Sequence, residues 1–271
     1  MSQRVISGVP TGPVVVPTVI KAIAEGDTIT PVWENELGGL TFRLDGGGGA
    51  RYAKWLAAGT PEIDLAAEAA RLRWARRWAR VPEVIDHGAD DAGSWLVTAA
   101  EPGRSAVDPV WVADPTTAAT AIGRGLRILH DALPVDECPF DWSVEHRLAS
   151  AWRFIEPDGD VSDGPEPNGR DGISRAEALA RLGEPPPIDR LVVCHGDACA
   201  PNTLIHDDGT FAAHVDLGAL GVADRWADLA IASWSTVWNY GAGYEEVVYA
   251  GYGIDADPAR ISYYRLLWDL T

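Results

Sequence analysis

The segment VVCHGDACAPNTLIHDDGTFAAHVDLG, Val192 to Gly218, decides how this chain is read. It holds a His-Gly-Asp ending at Asp197, an Asn five residues on at Asn202, and a second Asp at Asp216 after an apolar run. The apolar runs around these groups are β-favouring, which puts the polar residues in loops between short strands. An amide oxygen and two carboxylates gathered by a returning hairpin predict a loop that holds a hard metal ion beside a catalytic carboxylate.

Composition bounds what the rest of the chain can be. Its 271 residues are enough for one large domain or two lobes, and 46% hydrophobic content excludes a mostly disordered protein. No apolar run reaches the roughly 18 residues of a membrane span. The first 20 residues carry one Arg and three prolines, a poor secretory leader. Three cysteines, Cys138, Cys194 and Cys199, match no zinc spacing and fit a reduced, cytoplasmic protein. A net charge of −18 excludes a nucleic-acid backbone as partner and favours cationic ligands. Against that charge only two lysines occur, Lys21 and Lys54, and Lys54 lies in a strand-like run.

The pattern divides the chain into a strand-rich N-terminal lobe, 1–98, a linker, 99–103, and a mainly helical C-terminal lobe, 104–271. In the first lobe, Thr30 to Asp45 reads as a hairpin around Gly38 and Gly39, and Gly46 to Gly49 turns the chain into a third strand bearing Lys54. Thr60 to Ala79 reads as its one helix, with Pro61 in the first turn and Glu68 on it. Two more strands flank the turn at Asp90 to Gly93. In the second lobe, helical spacing appears in DPTTAATAIGRGLRILHDAL and VEHRLASAWRFI, and a short helix is expected from Arg175 to Leu182. The acidic, Pro- and Gly-rich stretch Glu156 to Gly172 reads as a solvated loop. Two helices, DRWADLAIASWSTVWNY and DPARISYYRLLWDL, are expected to close the chain.

Phosphoryl transfer explains this order of residues economically. Asp197 suits the carboxylate that orients an attacking hydroxyl and takes its proton, while Asn202 and Asp216 suit Mg²⁺, and Gly218 is expected to let the backbone turn beside the metal. Lys54, held by Glu68, suits the α- and β-phosphates, and the Gly38-Gly39 turn would offer backbone N–H groups nearby. His195 reads as a buttress of the loop, His130 as a helix-end contact, and Asp224, Arg225 and Asp228 as a charge network beneath the loop.

HGDACAPN followed by VDLG resembles the catalytic and metal loops of the aminoglycoside phosphotransferases and their small-molecule kinase relatives. ENELGGLTFRL, YAKW, LVTAAEPG, ILHDAL and GVADRWADLA fall in the family's order along nearly the whole chain. The resemblance implies an α+β, two-lobed, protein-kinase-like fold, with the nucleotide between the lobes and its adenine edge near Thr98 and Ala100. It implies ATP (or GTP) and Mg²⁺ as cofactors, and a monomeric cytoplasmic enzyme acting on a cationic aminoglycoside. VVCHGDACAPN together with VDECPF is most similar to the streptomycin 3″-phosphotransferases, which implies antibiotic resistance as the biology. Candidate acceptor contacts are Asp269, Asn239, Trp238 and Glu245, with Glu246, Trp268, Asp158 and Asp160 as further acids or rings. A kinase of another metabolite or aminoglycoside, or a non-catalytic kinase-like nucleotide-binding module, stays open on these residues alone.

Overall fold

The computed structural model describes residues 8–35, 37–60, 63–152 and 180–271, which form two compact units, Met1–Pro102 and Gly103–Thr271. Glu36, Pro61, Glu62, Asp158, Asp160 and the acidic stretch expected over 156–172 lie outside the described residues, and the helix expected from Arg175 is described only at its end, 180–182.

In the first unit the chain runs α1 (Thr18–Ala24), β1 (Thr28–Glu34), β2 (Leu40–Asp45), β3 (Arg51–Ala57), α2 (Leu65–Ala75), β4 (Val84–Ala89) and β5 (Gly93–Ala99). The strands form one antiparallel sheet in the order β1-β2-β3-β5-β4. Alternation in β2 buries Phe42 and Leu44, and these pack with Ala53, Val97 and the α1 residues Ile20 and Ala24. Helix α1 was not expected from the sequence. It has only 7 residues and no side-chain cap, so nothing local marks it, and packing against the sheet holds it instead. Helix α2 is shorter than the expected span. It starts at Leu65 because Asp64 caps it, accepting from the Ala67 amide at 2.9 Å.

The second unit contains β6 (Arg104–Ser105), α3 (Pro109–Val112), α4 (Pro115–Ala132), α5 (Val144–Trp152), β7 (Leu191–Cys194), β8 (Thr203–Ile205), β9 (Phe211–His214), β10 (Gly221–Asp224), α6 (Trp226–Tyr240), α7 (Glu245–Tyr252) and α8 (Pro258–Leu270). Strands β7 and β10 pair with each other, and β6-β8-β9 make a small sheet. Asp114 caps α4 and Asp257 caps α8, each followed by a proline whose missing N–H costs nothing in a first turn. Helix α6 is buried almost all round, from Trp226 to Thr236, as befits a helix at the centre of its unit. Three helices, not two, close the chain, since α7 lies between α6 and α8. Gly251 and Gly123 let α7 and α4 meet backbone to backbone. A Cβ on Gly123 would stand 2.1 Å from the Val248 carbonyl oxygen, and one on Gly251 2.7 Å from that of Thr120. No helix among the described residues is long and apolar enough to cross a membrane.

Gly123→Ala is expected to force α4 and α7 apart and to lower stability by about 1–3 kcal/mol, the usual cost of overpacking. Chemical denaturation of the variant checks this. An unchanged midpoint would show that the contact yields freely.

Candidate active site

The loop after β7 is built around a buried carboxylate. Asp228, in the first turn of α6 and wholly shielded from solvent, accepts from the His195 amide at 2.6 Å and the Gly196 amide at 2.9 Å. His130 Nε2 approaches the same carboxylate at 2.9 Å, and its Nδ1 meets the Tyr252 hydroxyl at 3.0 Å. His130 makes the helix-end contact expected of it: from the last turn of α4 it is a buried brace to the first turn of α6 and the last residue of α7. Burial alone would raise the Asp228 pKa, but the hydrogen bond and charge of His130 prevail and hold it below the usual carboxylate range.

His195 is the buttress the sequence predicts. Its Nε2 lies 2.9 Å from the Val215 carbonyl, which can only accept, so Nε2 carries the proton and Nδ1 is left to accept from the Asp197 amide at 3.3 Å. Gly196 has φ 86°, and a Cβ there would stand 2.1 Å from the Ala219 carbonyl oxygen. The loop of Asp197 and the loop of Asp216 thus touch at a point where only glycine fits. Nearby, Asp224 accepts from the Asp189 and Trp226 amides, and Arg225 pairs with Asp189 at 2.7 Å. His130, Cys194 and Asp228 offer three metal-ligand atoms within 4.8 Å of one another. The Asp228 carboxylate is already filled, and burial pushes the Cys194 thiol far above its usual range, so this trio is a brace and not a metal centre.

Around Asp197 the polar groups are incompletely used. Asn202 Nδ2 donates to the Asp197 carbonyl at 2.9 Å and to Oδ2 at 3.1 Å. Both partners only accept, which fixes the amide's orientation and leaves Asn202 Oδ1 as a hard-oxygen acceptor. Asp197 Oδ1 is buried without a hydrogen bond. Burial and the like charge of Asp216 raise the Asp197 pKa. A divalent cation between Asn202 Oδ1 and the Asp216 carboxylate would relieve that repulsion, and the oxygen-only donor set suits Mg²⁺. The chain turns at Gly218 as expected, closed by the Leu220 amide donating to the Leu217 carbonyl at 3.1 Å, and Asp216 itself is left-handed, with φ 65°. A non-glycine residue in the left-handed region is uncommon, and it aims this carboxylate.

In the first unit, Lys54 sits on β3 between Thr41 of β2 and Leu96 of β5. Its Nζ lies 2.8 and 3.0 Å from the two carboxylate oxygens of Glu68, which is 4% exposed in the first turn of α2. The Gly38-Gly39 turn differs from expectation. Asn35 Oδ1 accepts from the Leu37 and Gly39 amides at 3.0 and 2.7 Å, and the Gly38 amide donates to the Asn35 carbonyl at 3.0 Å. Both glycine N–H groups are therefore engaged within the turn. Thr98 lies within β5, paired with Tyr52 and Val84, and the Ala100 amide donates to the Ala50 carbonyl at 3.0 Å.

The acceptor candidates fall on the last helices. Asn239 Nδ2 donates to the Ser235 carbonyl at 2.8 Å and to its hydroxyl at 3.1 Å. Trp238, 37% exposed, has its ring centre 5.0 Å from that of Trp234, the two planes tilted by 53°. Glu245 accepts from Arg265 at 2.9 Å, a structural pair that takes up its charge. Asp269 is half-buried near the end of α8, where Arg147 holds Thr271 with hydrogen bonds of 3.1 and 2.8 Å. Ser235 was not singled out by the sequence. Its hydroxyl also accepts from the Ala200 amide at 2.9 Å, joining α6 to the Asp197 loop, and its spacing of four from Asn239 was the one available signal.

The family model described as the phosphotransferase enzyme family matches residues 31–264. The chain is 37% identical over 250 residues to an aminoglycoside 3′-phosphotransferase of Streptomyces fradiae, covering 86% of this chain and 91% of that protein. It is 36% identical over 253 residues to a streptomycin 3″-kinase of Streptomyces griseus, covering 89% and 91%. Among solved structures it is similar to an aminoglycoside phosphotransferase of Streptomyces rimosus in complex with ADP and streptomycin, with TM-score 0.69 and 28% identity over 93% of this chain and 96% of that one. The α+β kinase-like fold expected from the sequence is thereby borne out.

Asp228→Ala is expected to cost about 3–5 kcal/mol, because two loop amides and His130 lose a buried charged partner. The folded-state pKa of Asp228 is depressed, so its stabilisation is present above the unfolded value of about 4 and is lost as pH falls through the folded value. The wild-type advantage over Asp228→Ala in urea denaturation should therefore shrink in acid. A variant as stable as wild type at neutral pH would contradict the brace.

Proposed function

The chain belongs to the phosphotransferase enzyme family, among its aminoglycoside phosphotransferases, and on that premise we propose that it transfers the γ-phosphoryl group of ATP to a hydroxyl of an aminoglycoside. The observation that carries this reading is the half-buried Asp197, whose carboxylate has one shielded oxygen with no hydrogen bond and the other held by Asn202, with the charge of Asp216 close enough to raise its pKa.

Asp197 receives the acceptor hydroxyl, aligns it with the phosphorus and takes its proton as the new P–O bond forms. Asn202 and Asp216 hold Mg²⁺, which when bound offsets charge on the phosphate oxygens. Lys54, fixed by Glu68, contacts the α- and β-phosphates. Gly38 and Gly39 shape the turn over the phosphates, with contact requiring the Asn35 bonds to be exchanged. Thr98 and Ala100 flank the adenine edge. No covalent enzyme intermediate is needed, since positioning and electrostatics suffice for a reactive phosphoryl donor. The linker at 99–103 and a cytoplasmic, monomeric state belong to the same proposal.

A cationic acceptor suits a chain of net charge −18. Asn239, Trp238 and Asp269 are the proposed contacts. Glu245, tied to Arg265, contributes only to the field. Streptomycin, phosphorylated at its 3″-hydroxyl, is the favoured acceptor, supported by the VVCHGDACAPN and VDECPF segments and by similarity to the streptomycin 3″-kinase. A second reading is transfer to the 3′-hydroxyl of another aminoglycoside, supported by the 37% identity to the Streptomyces fradiae 3′-phosphotransferase against 36% to the streptomycin 3″-kinase. Inactivation of the antibiotic, hence resistance, is the implied biology.

The purified protein with Mg²⁺-ATP should consume nucleotide faster with streptomycin than with neomycin or kanamycin, and phosphorus-coupled NMR should locate the new ester on the 3″-oxygen. Turnover of neomycin or kanamycin without streptomycin would replace the first acceptor by the second. Turnover of a neutral metabolite alone would overturn the aminoglycoside reading.

A further inference from the structure

The last turn of α8 carries Asp269, the acid proposed to meet a cationic group of the acceptor, with Trp268 beside it. Thr271 closes that turn. Its hydroxyl donates to the Leu267 carbonyl at 2.8 Å, a bond that spans both residues and satisfies a carbonyl the helix end leaves open. The same oxygen accepts from Arg147 Nε at 3.1 Å and from Nη2 at 2.8 Å. A hydroxyl has one proton and two acceptor positions, so all three are used and Thr271 has one orientation.

Arg147 reaches this point from α5 and is 2% exposed. Among the described residues its guanidinium meets no carboxylate: it bonds to Thr271 and lies over the Trp142 ring at 5.0 Å. Burial pushes its pKa down to about 10, so it is cationic at neutral pH. A buried charge is costly to strip of the partners it has, which fixes the side chain in this course. The charge also suits the helix. No basic residue of α8 lies in its last turn, and Asp269 stands at the end where the helix dipole disfavours an acid. Arg147 supplies from α5 the positive charge that this end lacks.

The other end of the connection is the base of the Asp197 loop. The Trp142 amide donates to the Val222 carbonyl at 3.1 Å, and the Val222 amide donates to the Phe140 carbonyl at 2.9 Å. Val222 of β10 pairs with Val193 of β7, the strand that leads into His195 and Asp197. A Cβ on Gly221 would stand 2.8 Å from the Trp142 nitrogen, so these segments pack without slack.

We propose that Arg147 is a positioning residue for acceptor recognition: through Thr271 it ties the Asp269 turn of α8 to the Trp142 segment and the β7–β10 pair, and so sets where a cationic group of the aminoglycoside meets Asp269 while its hydroxyl meets Asp197. The proposal rests on the reading of Asp269 as an acceptor contact. Arg147 and Thr271 act through Asp269 without touching the reacting atoms. The connection includes none of the groups assigned to nucleotide or metal.

The test compares Thr271→Val, Thr271→Ser, Arg147→Gln and Asp269→Asn with wild type, measuring kcat, the KM values for Mg²⁺-ATP and for the aminoglycoside, and thermal unfolding. Thr271→Val keeps the shape and removes the hydroxyl. Its aminoglycoside KM should rise about tenfold, the worth of a hydrogen bond to a charged group, with kcat and the nucleotide KM within about twofold of wild type. Thr271→Ser keeps the hydroxyl and should stay within about threefold in every constant, a rescue that packing alone would not give. Arg147→Gln should raise the same KM; should it fail to fold, the Thr271 pair decides by itself. In the Asp269→Asn background Thr271→Val should cost little more, because both act on one contact. An unchanged aminoglycoside KM in Thr271→Val, equal impairment of Thr271→Ser and Thr271→Val, or a rise that persists in full in the Asp269→Asn background would each overturn the proposal. An unchanged KM in Asp269→Asn would remove Asp269 from the acceptor site and the proposal with it. Wild-type turnover is measured first: its absence with every aminoglycoside sinks the functional reading, whereas turnover with a flat Thr271→Val sinks the role of Arg147 alone.

Discussion

The carboxylate of Asp228 carries a charge with no access to solvent, and the second unit is arranged to satisfy it. It receives two consecutive loop amides and the imidazole of His130, so the backbone at His195 and Gly196 has one available course. From that course follow the approach of Gly196 to Ala219, the direction of Asp197 and the distance over which Asn202 reaches back to it. A buried charge is costly unless its partners are exact in placement, which makes this one a strong constraint on loop shape. Helix α6 supplies it from its first turn and supplies Ser235 and Asn239 from later turns. One rigid element thus orders both the carboxylate and a proposed acceptor contact.

Electrostatics around Asp197 work in the opposite sense. There burial and the like charge of Asp216 raise the Asp197 pKa. The loop that carries the site is thus held by its neighbours Asp228 and His195, while Asp197 keeps an unfavourable interaction of the kind common at functional sites. Much of the chain's acidity has a different use. Glu245 answers Arg265, Asp189 answers Arg225, and Asp131 answers both Arg127 and Arg190. Net charge therefore overstates how many acids stand ready for a cationic acceptor.

Local chemistry made the centre of this structure legible in the sequence. His-Gly-Asp, the Asn at 202 and the Asp at 216 have a spacing that only a hairpin closes, and Lys54 stood out among arginines; Lys54 and Glu68 do meet. What escaped depends on distant parts of the chain. Helix α1 is held by sheet residues, and α7 by a glycine crossing with α4, so neither leaves a periodic signal of its own. The turn at Gly38 and Gly39 looked like a set of free amides, but Asn35 occupies them. The turn at Gly218 was legible, but the left-handed backbone at Asp216 was not, because steric rules lead one to expect glycine at such a position. His130, 98 residues from Asp228, could be placed against it only by the fold.

The claim on which the account turns is that Asp197 acts on the acceptor hydroxyl and not on the nucleotide. Asp197→Asn keeps the shape of the side chain and removes its basicity, so the direct measurement is phosphate transfer to the aminoglycoside alongside calorimetric titration with Mg²⁺-ATP. Nucleotide affinity should stay close to wild type and turnover should fall about 10²–10⁴-fold, the range for a general base. Turnover above about a tenth of wild type, below even the least effect of such a group, would contradict the claim.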